Sequence, residues 1–500
     1  LQLELLAGDG LEYRKIFMRR GLNIAPGSKA RHSLSEYLQT VTPALKVLCV
    51  SKTGWHGKNY ITTTESIGAE STEPIIFQSP SANFTESGKA GTLESWQQQI
   101  AKYCIGNSRL LLAVSAGFSS VIAKPLSIEG GGFHFRGRSS TGKTTALHVA
   151  NSILGQPELI RRWRATDNGL EGVATSCNDS LLCLDEIEEL SAKAAGSVAY
   201  MLANGSGKQR ANRNGESRAA QQWRVVFLST GEIALSDHIK AGGNTVRAGH
   251  EVRIVDLLAD TGHHGIFEDL HGFDGGADLS RHLVEAAEQN HGHALEAFIK
   301  KFVENREQAL KVLRPLIERI AKTITPPNAD GQVQRVASRF ATVAAAGELA
   351  AMWEIVPWSE GEAMEGIDAC FKSWLSERGG VSSQESTEAI KQVRKFIEQH
   401  GSSRFSIRAE DKIINRAGFI KTKGDEKYYC ILPVTFREDV CKGLNHKVVA
   451  EALQTHGHLL PEGDSDNGRP DRKERPPEGK SSQRVFVISE SILSGEDATC

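Results

Sequence analysis

Residues Gly137-Arg-Ser-Ser-Thr-Gly142-Lys143-Thr144-Thr145 constrain this chain more than any other stretch. They match G-x-x-x-x-G-K-[ST] in full. They also stand where that motif must stand, between the apolar run Gly132-Phe133-His134-Phe135 and a segment of helical character from Ala146 to Leu154, which stops at Gly155 with Pro157 beyond. Strand, glycine-rich turn and helix in that order make a phosphate-binding loop. Its backbone N–H groups curl around a β-phosphate, the helix N-terminus adds its positive end, Lys143 reaches the β- and γ-oxygens, and Thr144 places its hydroxyl on Mg²⁺. The residues expected against ATP are Gly137, Ser139, Ser140, Thr141, Gly142, Lys143, Thr144 and Thr145. A chance Gly/Ser turn containing a lysine would not bring the strand and helix with it.

The second half of such a site is expected farther along, where the apolar strand Leu181-Leu182-Cys183-Leu184 ends in Asp185-Glu186. Asp185 would hold the metal through its water shell, and Glu186 would polarise the attacking water as general base. Two carboxylates favour hydrolysis of a nucleoside triphosphate over transfer of its phosphate to a small molecule. A further strand, Trp223 to Leu228, ends in Ser229-Thr230-Gly231-Glu232 and brings small hydroxyls to the same sheet edge. Either Ser229 or Thr230 suits a group that orients the lytic water, although hydroxyls at strand ends also serve as helix caps. Strands alternating with helical segments predict a parallel sheet covered by helices.

Arg247 and Arg253, within Val246-Arg-Ala-Gly-His-Glu-Val-Arg-Ile-Val-Asp256, are candidates for an arginine that reaches a neighbouring subunit's γ-phosphate. That role calls for a ring; the plain alternative is a surface pairing with Glu251 or Asp256. Between the second and third strands, Asn204 to Arg218 carries four cations against one acid among Gly and Asn residues. Lys208, Arg210 and Arg213 are the expected backbone contacts to nucleic acid, from a basic loop or hairpin.

Lys+Arg, at 59, nearly cancels Asp+Glu, at 61, so a nucleic-acid contact must come from such a local surface and not from overall charge. The eight cysteines form no Cys-x-x-Cys pair, which argues against a zinc ribbon and fits a reduced, cytoplasmic setting. The chain opens at Leu1 without a basic region, apolar stretch and cleavage site, which reads as a trimmed start with no secretory signal. Leu110 to Ile128, the most apolar stretch, carries serines, Lys124 and Pro125, and predicts a buried helix rather than a membrane span.

The fold expected is α/β. It comprises a mixed α+β segment over 1–91, a P-loop core over 92–290 and a helical lid over 291–385. Residues 386–500 would form a winged-helix-like domain, with a basic helix at Lys412 to Ala417 and a disordered Gly/Pro/charge-rich insertion at 461–482. In the first segment, Trp55 and His56 read as a turn with a packed indole rather than a ligand contact.

The stretches Phe133 to Thr145, Trp163 to Gly172, Asn178 to Glu186, Asn204 to Ala211 and Trp223 to Glu232 resemble a bacterial and phage family of helicase-like ATPases. That family was first catalogued as a domain of unknown function and is often fused to a primase in mobile elements. The resemblance runs from about Gly54 to Asp260. It implies an AAA+-like core, related to superfamily 3 and minichromosome-maintenance helicases, that works as a ring on DNA. Lys143 and Thr144 match the first nucleotide motif, Asp185 and Glu186 the second, and Ser229 or Thr230 the sensor. Arg253 fits the minichromosome-maintenance finger and Arg247 the superfamily 3 offset, while Arg335 or Arg339 would supply a second sensor. The function expected is an ATP- and Mg²⁺-dependent hexameric DNA helicase or translocase on single-stranded or forked DNA, serving a phage or mobile element, with a primase as possible partner. The competing reading is a regulatory ATPase whose C-terminal module binds DNA or protein.

Overall fold

The computed structural model describes all residues except 1–4, 7–9, 20, 43–46, 69–73, 79–86, 208–209, 212–216, 219, 245–247, 379–383, 425, 464–468, 478, 480 and 495–500. Its contacts divide the chain into two compact units. One comprises residues 1–324 with 338–371, the other residues 325–337 with 372–500. The stretches expected as separate N-terminal, core and lid domains thus contribute largely to one unit.

In the first unit a parallel sheet is built from β1 (Gly131–Arg136), β2 (Arg161–Arg162), β3 (Ser180–Asp185), β4 (Val225–Gly231) and β5 (Ile254–Leu258). Its strand order is β5-β1-β4-β3-β2, every neighbouring pair parallel. Strands covered on both faces must be apolar almost throughout, and β4 is buried from end to end. Gly132 of β1 is the register partner of Phe227 in β4. A Cβ there would lie 2.2 Å from the Phe227 carbonyl oxygen, so the position admits no side chain. The helix Ser108–Ala123 is buried at every residue, as its uninterrupted apolar character requires. Among the described residues no helix is long and apolar enough to cross a membrane.

The N-terminal segment adds helices Leu11–Arg19 and Ser28–Thr40, which its sequence had not signalled. It also adds a parallel pair, Leu48–Val50 with Ile75–Phe77, and an antiparallel sheet of Gly54–His56, Asn59–Ile61 and Ser66–Ile67. That sheet is stitched onto the core through Asp179, which accepts from the Trp55 backbone N–H at 3.0 Å, while the Tyr60 hydroxyl donates to its carbonyl at 2.7 Å. The Trp55 indole is buried, donates to the Val121 carbonyl at 2.8 Å and packs edge-on against Tyr60, so it is the packed indole expected.

The second unit holds a sheet ordered 405–406, 418–423, 426–431, 483–489, 459–460, with helices Gln384–His400 and His446–Thr455 sharing its core. Two expectations are corrected here. Residues 412–417 form no helix: Asn415 sits at φ 61°, and Asp411 turns back to accept from the N–H groups of Ile407 and Arg408, each at 2.7 Å. Within 461–482, Arg472–Glu474 is a strand paired antiparallel with the strand Gln483–Ser489, so cross-strand partners order these residues although the composition of the stretch suggested disorder.

Candidate nucleotide and metal site

The site forms at the carboxyl end of the sheet. β1 leads directly into the phosphate loop, in which Ser140 and Gly142 take positive φ, 62° and 89°, before the helix Lys143–Asn151 begins. A side chain at Gly142 would strike Ile266 at 2.6 Å, so glycine is required by both backbone and space. The Lys143 ammonium folds along the loop and donates to the carbonyls of Gly137 and Arg138, each at 2.7 Å. Burial pushes its pKa below the ordinary lysine value, against the pull of Glu232, Glu188 and Asp185.

Because β4 lies between β1 and β3, its end meets both the loop and Asp185. The Thr230 hydroxyl donates to Asp185 Oδ1, and the Glu186 backbone N–H reaches Thr230 Oγ1 at 3.4 Å. Asp185 Oδ2 lies 3.5 Å from Thr144 Oγ1. These two oxygens are hard ligands of the kind that would suit Mg²⁺. Among the described residues no group of three or more His, Cys, Asp or Glu side chains could hold a metal. Glu186 stands at φ 58°, a left-handed conformation that turns its carboxylate out of the strand. Its partner is Arg162 at the end of β2, which also pairs with Glu189 at 2.9 Å; these carboxylates hold the exposed guanidinium's pKa above its usual value.

Ser139, Ser140, Thr141, Gly142, Lys143, Thr144, Thr145, Asp185, Glu186 and Thr230 thus line one cleft of about 990 Å³. Gly137 lies at the loop's base, its N–H on the Gly231 carbonyl at 3.1 Å. Thr145 is mostly buried and pairs with the Ser280 hydroxyl. Ser229 does not face the cleft. Successive strand residues point to opposite faces, so Ser229 turns to His134 and Trp163 while Thr230 takes the Asp185 side.

No motif signals the segment that completes the cleft. Asp260, His264, Gly265, Phe267, Gly276, Ala277 and Ser280 follow β5 and line the same space, and the Ile266 N–H donates to the Thr141 carbonyl at 2.8 Å, bracing the loop from behind.

Arg253 sits at the start of β5, away from the cleft, over the Tyr200 ring at 5.4 Å. Arg339, expected as a second sensor, is also at the wrong end: it donates to the Gly130 carbonyl at 3.1 Å, just before β1, a full strand from the phosphate loop. Lys208, Arg213 and Arg247 lie outside the described residues. Arg210 belongs to a two-stranded antiparallel hairpin, Arg210–Ala211 with Ser217–Arg218.

A family model described as "Domain of unknown function (DUF927)" matches residues 1–222. A solved structure described as "SCCmec type IV Cch - active helicase" is 20% identical, covers 98% of this chain and 88% of its own, and superposes with a TM-score of 0.71, so the two share a fold. NtrX from Brucella abortus in complex with ADP is 12% identical, over 57% of this chain and 67% of its own; its TM-score of 0.18 carries no argument. No curated protein matches. The fold and the cleft together define a mixed α/β chain with a P-loop sequence at the edge of its parallel sheet.

Proposed function

We propose that this chain is an ATP-dependent DNA helicase or translocase with an AAA+-like core. It would act as a homo-oligomeric ring, six-membered, on single-stranded or forked DNA in the replication of a phage or mobile genetic element. One observation carries the reading: Lys143, Thr144, Asp185, Glu186 and Thr230, from three adjacent segments, meet in one cleft at the carboxyl end of a parallel sheet. The fold shared with a protein described as an active helicase supports it.

In this reading Lys143 binds the β- and γ-phosphates, while Thr144 and Asp185 would hold Mg²⁺, which would supply charge neutralisation at the transferring phosphoryl. Thr230, fixed on Asp185, orients the lytic water. Glu186 takes its proton after leaving Arg162. Arg253 comes from a neighbouring subunit, and Lys208, Arg210 and Arg213 grip the DNA backbone through sequence-neutral contacts.

The test is ATP hydrolysis with and without single-stranded DNA across a salt series, together with unwinding of a fork. Glu186→Gln should lower turnover by roughly 10²–10⁴-fold, as loss of a general base does, with ATP binding retained. Lys208→Ala/Arg210→Ala should weaken DNA binding and flatten its salt dependence. Slow turnover indifferent to DNA at every salt concentration would defeat the helicase reading and favour a regulatory ATPase.

A further inference from the structure

One row across the sheet, directly beneath the catalytic edge, is polar where a buried sheet should be apolar. The register places Asp256 of β5 beside His134 of β1, and His134 beside Ser229 of β4. The next row outward contains Thr230, and Asp185 and Arg162 are register partners at that edge. His134 and Ser229 are both fully buried. His134 Nδ1 lies 2.9 Å from Ser229 Oγ, and His134 Nε2 lies 3.0 Å from the Ile233 carbonyl oxygen and 4.0 Å from Asp256 Oδ1. The Trp163 indole N–H donates to the same Ser229 oxygen at 2.8 Å.

The direction of each bond follows from chemistry. A carbonyl only accepts, so Nε2 carries a proton toward Ile233. When Nδ1 carries no proton it accepts a hydrogen bond from the Ser229 hydroxyl, whose oxygen in turn accepts from the Trp163 indole N–H. The chain ends on groups that build the cleft. Trp163 donates its backbone N–H to the Asp185 carbonyl at 3.1 Å. Ile233 and Glu232 both donate their N–H groups to Glu188 Oε1. Gly231, the residue before Glu232, has no room for a side chain, with Ile187 at 2.5 Å and the His134 ring at 3.1 Å from an added Cβ.

We propose that His134 and Ser229 are positioning residues: their buried relay locks the roll of β4 so that Thr230, on the opposite face, presents its hydroxyl to Asp185. Neither residue lines the cleft. With the relay intact, Ser229 cannot swing toward the cleft and Thr230 cannot swing away, because adjacent strand residues turn together. The role rests on the ATPase reading of the cleft.

The experiment compares the wild-type chain with His134→Phe, His134→Gln, Ser229→Ala and His134→Phe/Ser229→Ala, measuring kcat and KM for ATP, the Mg²⁺ requirement, and binding of a fluorescent ADP analogue. Phenylalanine keeps the volume and removes both ring nitrogens. Glutamine offers one acceptor and one donor in their place. His134→Phe and Ser229→Ala should each lower kcat about tenfold, a change of one order of magnitude in rate. Each should raise the Mg²⁺ needed for half-maximal rate and leave ADP affinity within about twofold, a split that a role made only in the transition-state geometry gives. The double variant should be no worse than either single one, and His134→Gln should recover most of the rate. Additive losses, a parallel fall in ADP affinity, or a Ser229→Ala enzyme with wild-type kcat would overturn the relay while leaving the ATPase reading intact. Should His134→Phe not fold, Ser229→Ala decides alone. A wild type that binds ADP but hydrolyses nothing would overturn both.

Discussion

Thr230 and Ser229 are chain neighbours with different surroundings, and the difference comes from a single property of β-strands. Thr230 reaches a carboxylate beside the phosphate loop, and Ser229 reaches a histidine and an indole in the layer below. Thr230→Ala should therefore reduce kcat by about 10²-fold, as loss of one preorganised polar group does, with KM for ATP little changed. Thr230→Ser, which keeps the hydroxyl, should stay within a fewfold of wild type. Equal damage from both would show that the methyl group's packing, not the hydroxyl, is what matters. Lys143, Thr144, Asp185 and Glu186 were legible from sequence because each belongs to a short pattern whose spacing is set by local geometry. The choice between Ser229 and Thr230 was not legible. It depends on the phase of β4 against two neighbours distant in sequence. The pairing of Arg162 with Glu186 joins residues 24 positions apart and escapes sequence reasoning for the same reason.

At the scale of elements, strands are readable where an apolar run has clear ends, and β1, β3 and β4 fall where their runs predicted. The segment after β5 carries no such pattern, since its work is done by backbone. The Thr261 N–H binds the Gly265 carbonyl at 2.8 Å, and the Ile266 N–H binds the Thr141 carbonyl within the phosphate loop. Gly265 has φ 68°, and a Cβ there would lie 2.8 Å from the Thr141 carbonyl oxygen. Gly262, three residues earlier, has φ 84° with nothing within 4 Å. The pair separates backbone strain from contact. Each alanine substitution should cost about 1–3 kcal/mol of stability from the left-handed backbone alone. Only Gly265→Ala should also raise KM for ATP, because it alone displaces the loop. Thermal melts and KM measured side by side decide this, and a KM unchanged in Gly265→Ala would mean the segment merely covers the loop. The failed helix at 412–417 teaches the same lesson from the other side. Its residues suit a helix, but Asp411 captures two backbone N–H groups and Asn415 takes a left-handed turn, so local side-chain bonds win over propensity.

For the whole molecule, the telling fact is that Arg253 and Lys143 belong to opposite ends of the same parallel sheet. Arg253 immediately precedes β5, whereas the phosphate loop follows β1, and β1 and β5 are parallel neighbours in register from Gly132 with Ile254 to Arg136 with Leu258. A strand of this length spans roughly 17–20 Å, beyond the reach of an arginine side chain. If Arg253 serves hydrolysis at all, it does so in a different copy of the chain, and the complete site then exists only between subunits. That arrangement makes two inactive proteins capable of repairing each other. Lys143→Ala should have no functional loop but still offer Arg253; Arg253→Ala should have a sound loop but offer nothing to its neighbour. Mixed in equal amounts and allowed to exchange, they place a sound loop next to a sound arginine at about one interface in four, the product of two even chances in a closed ring. Hydrolysis in the mixture should therefore return to about a quarter of the wild-type rate per subunit, although each variant alone is inactive. Activity that stays at the level of the separate variants, with mixed assemblies verified by mass, would remove Arg253 from the reaction. A highly active Arg253→Ala protein would do so more directly, leaving Arg247 as the remaining candidate.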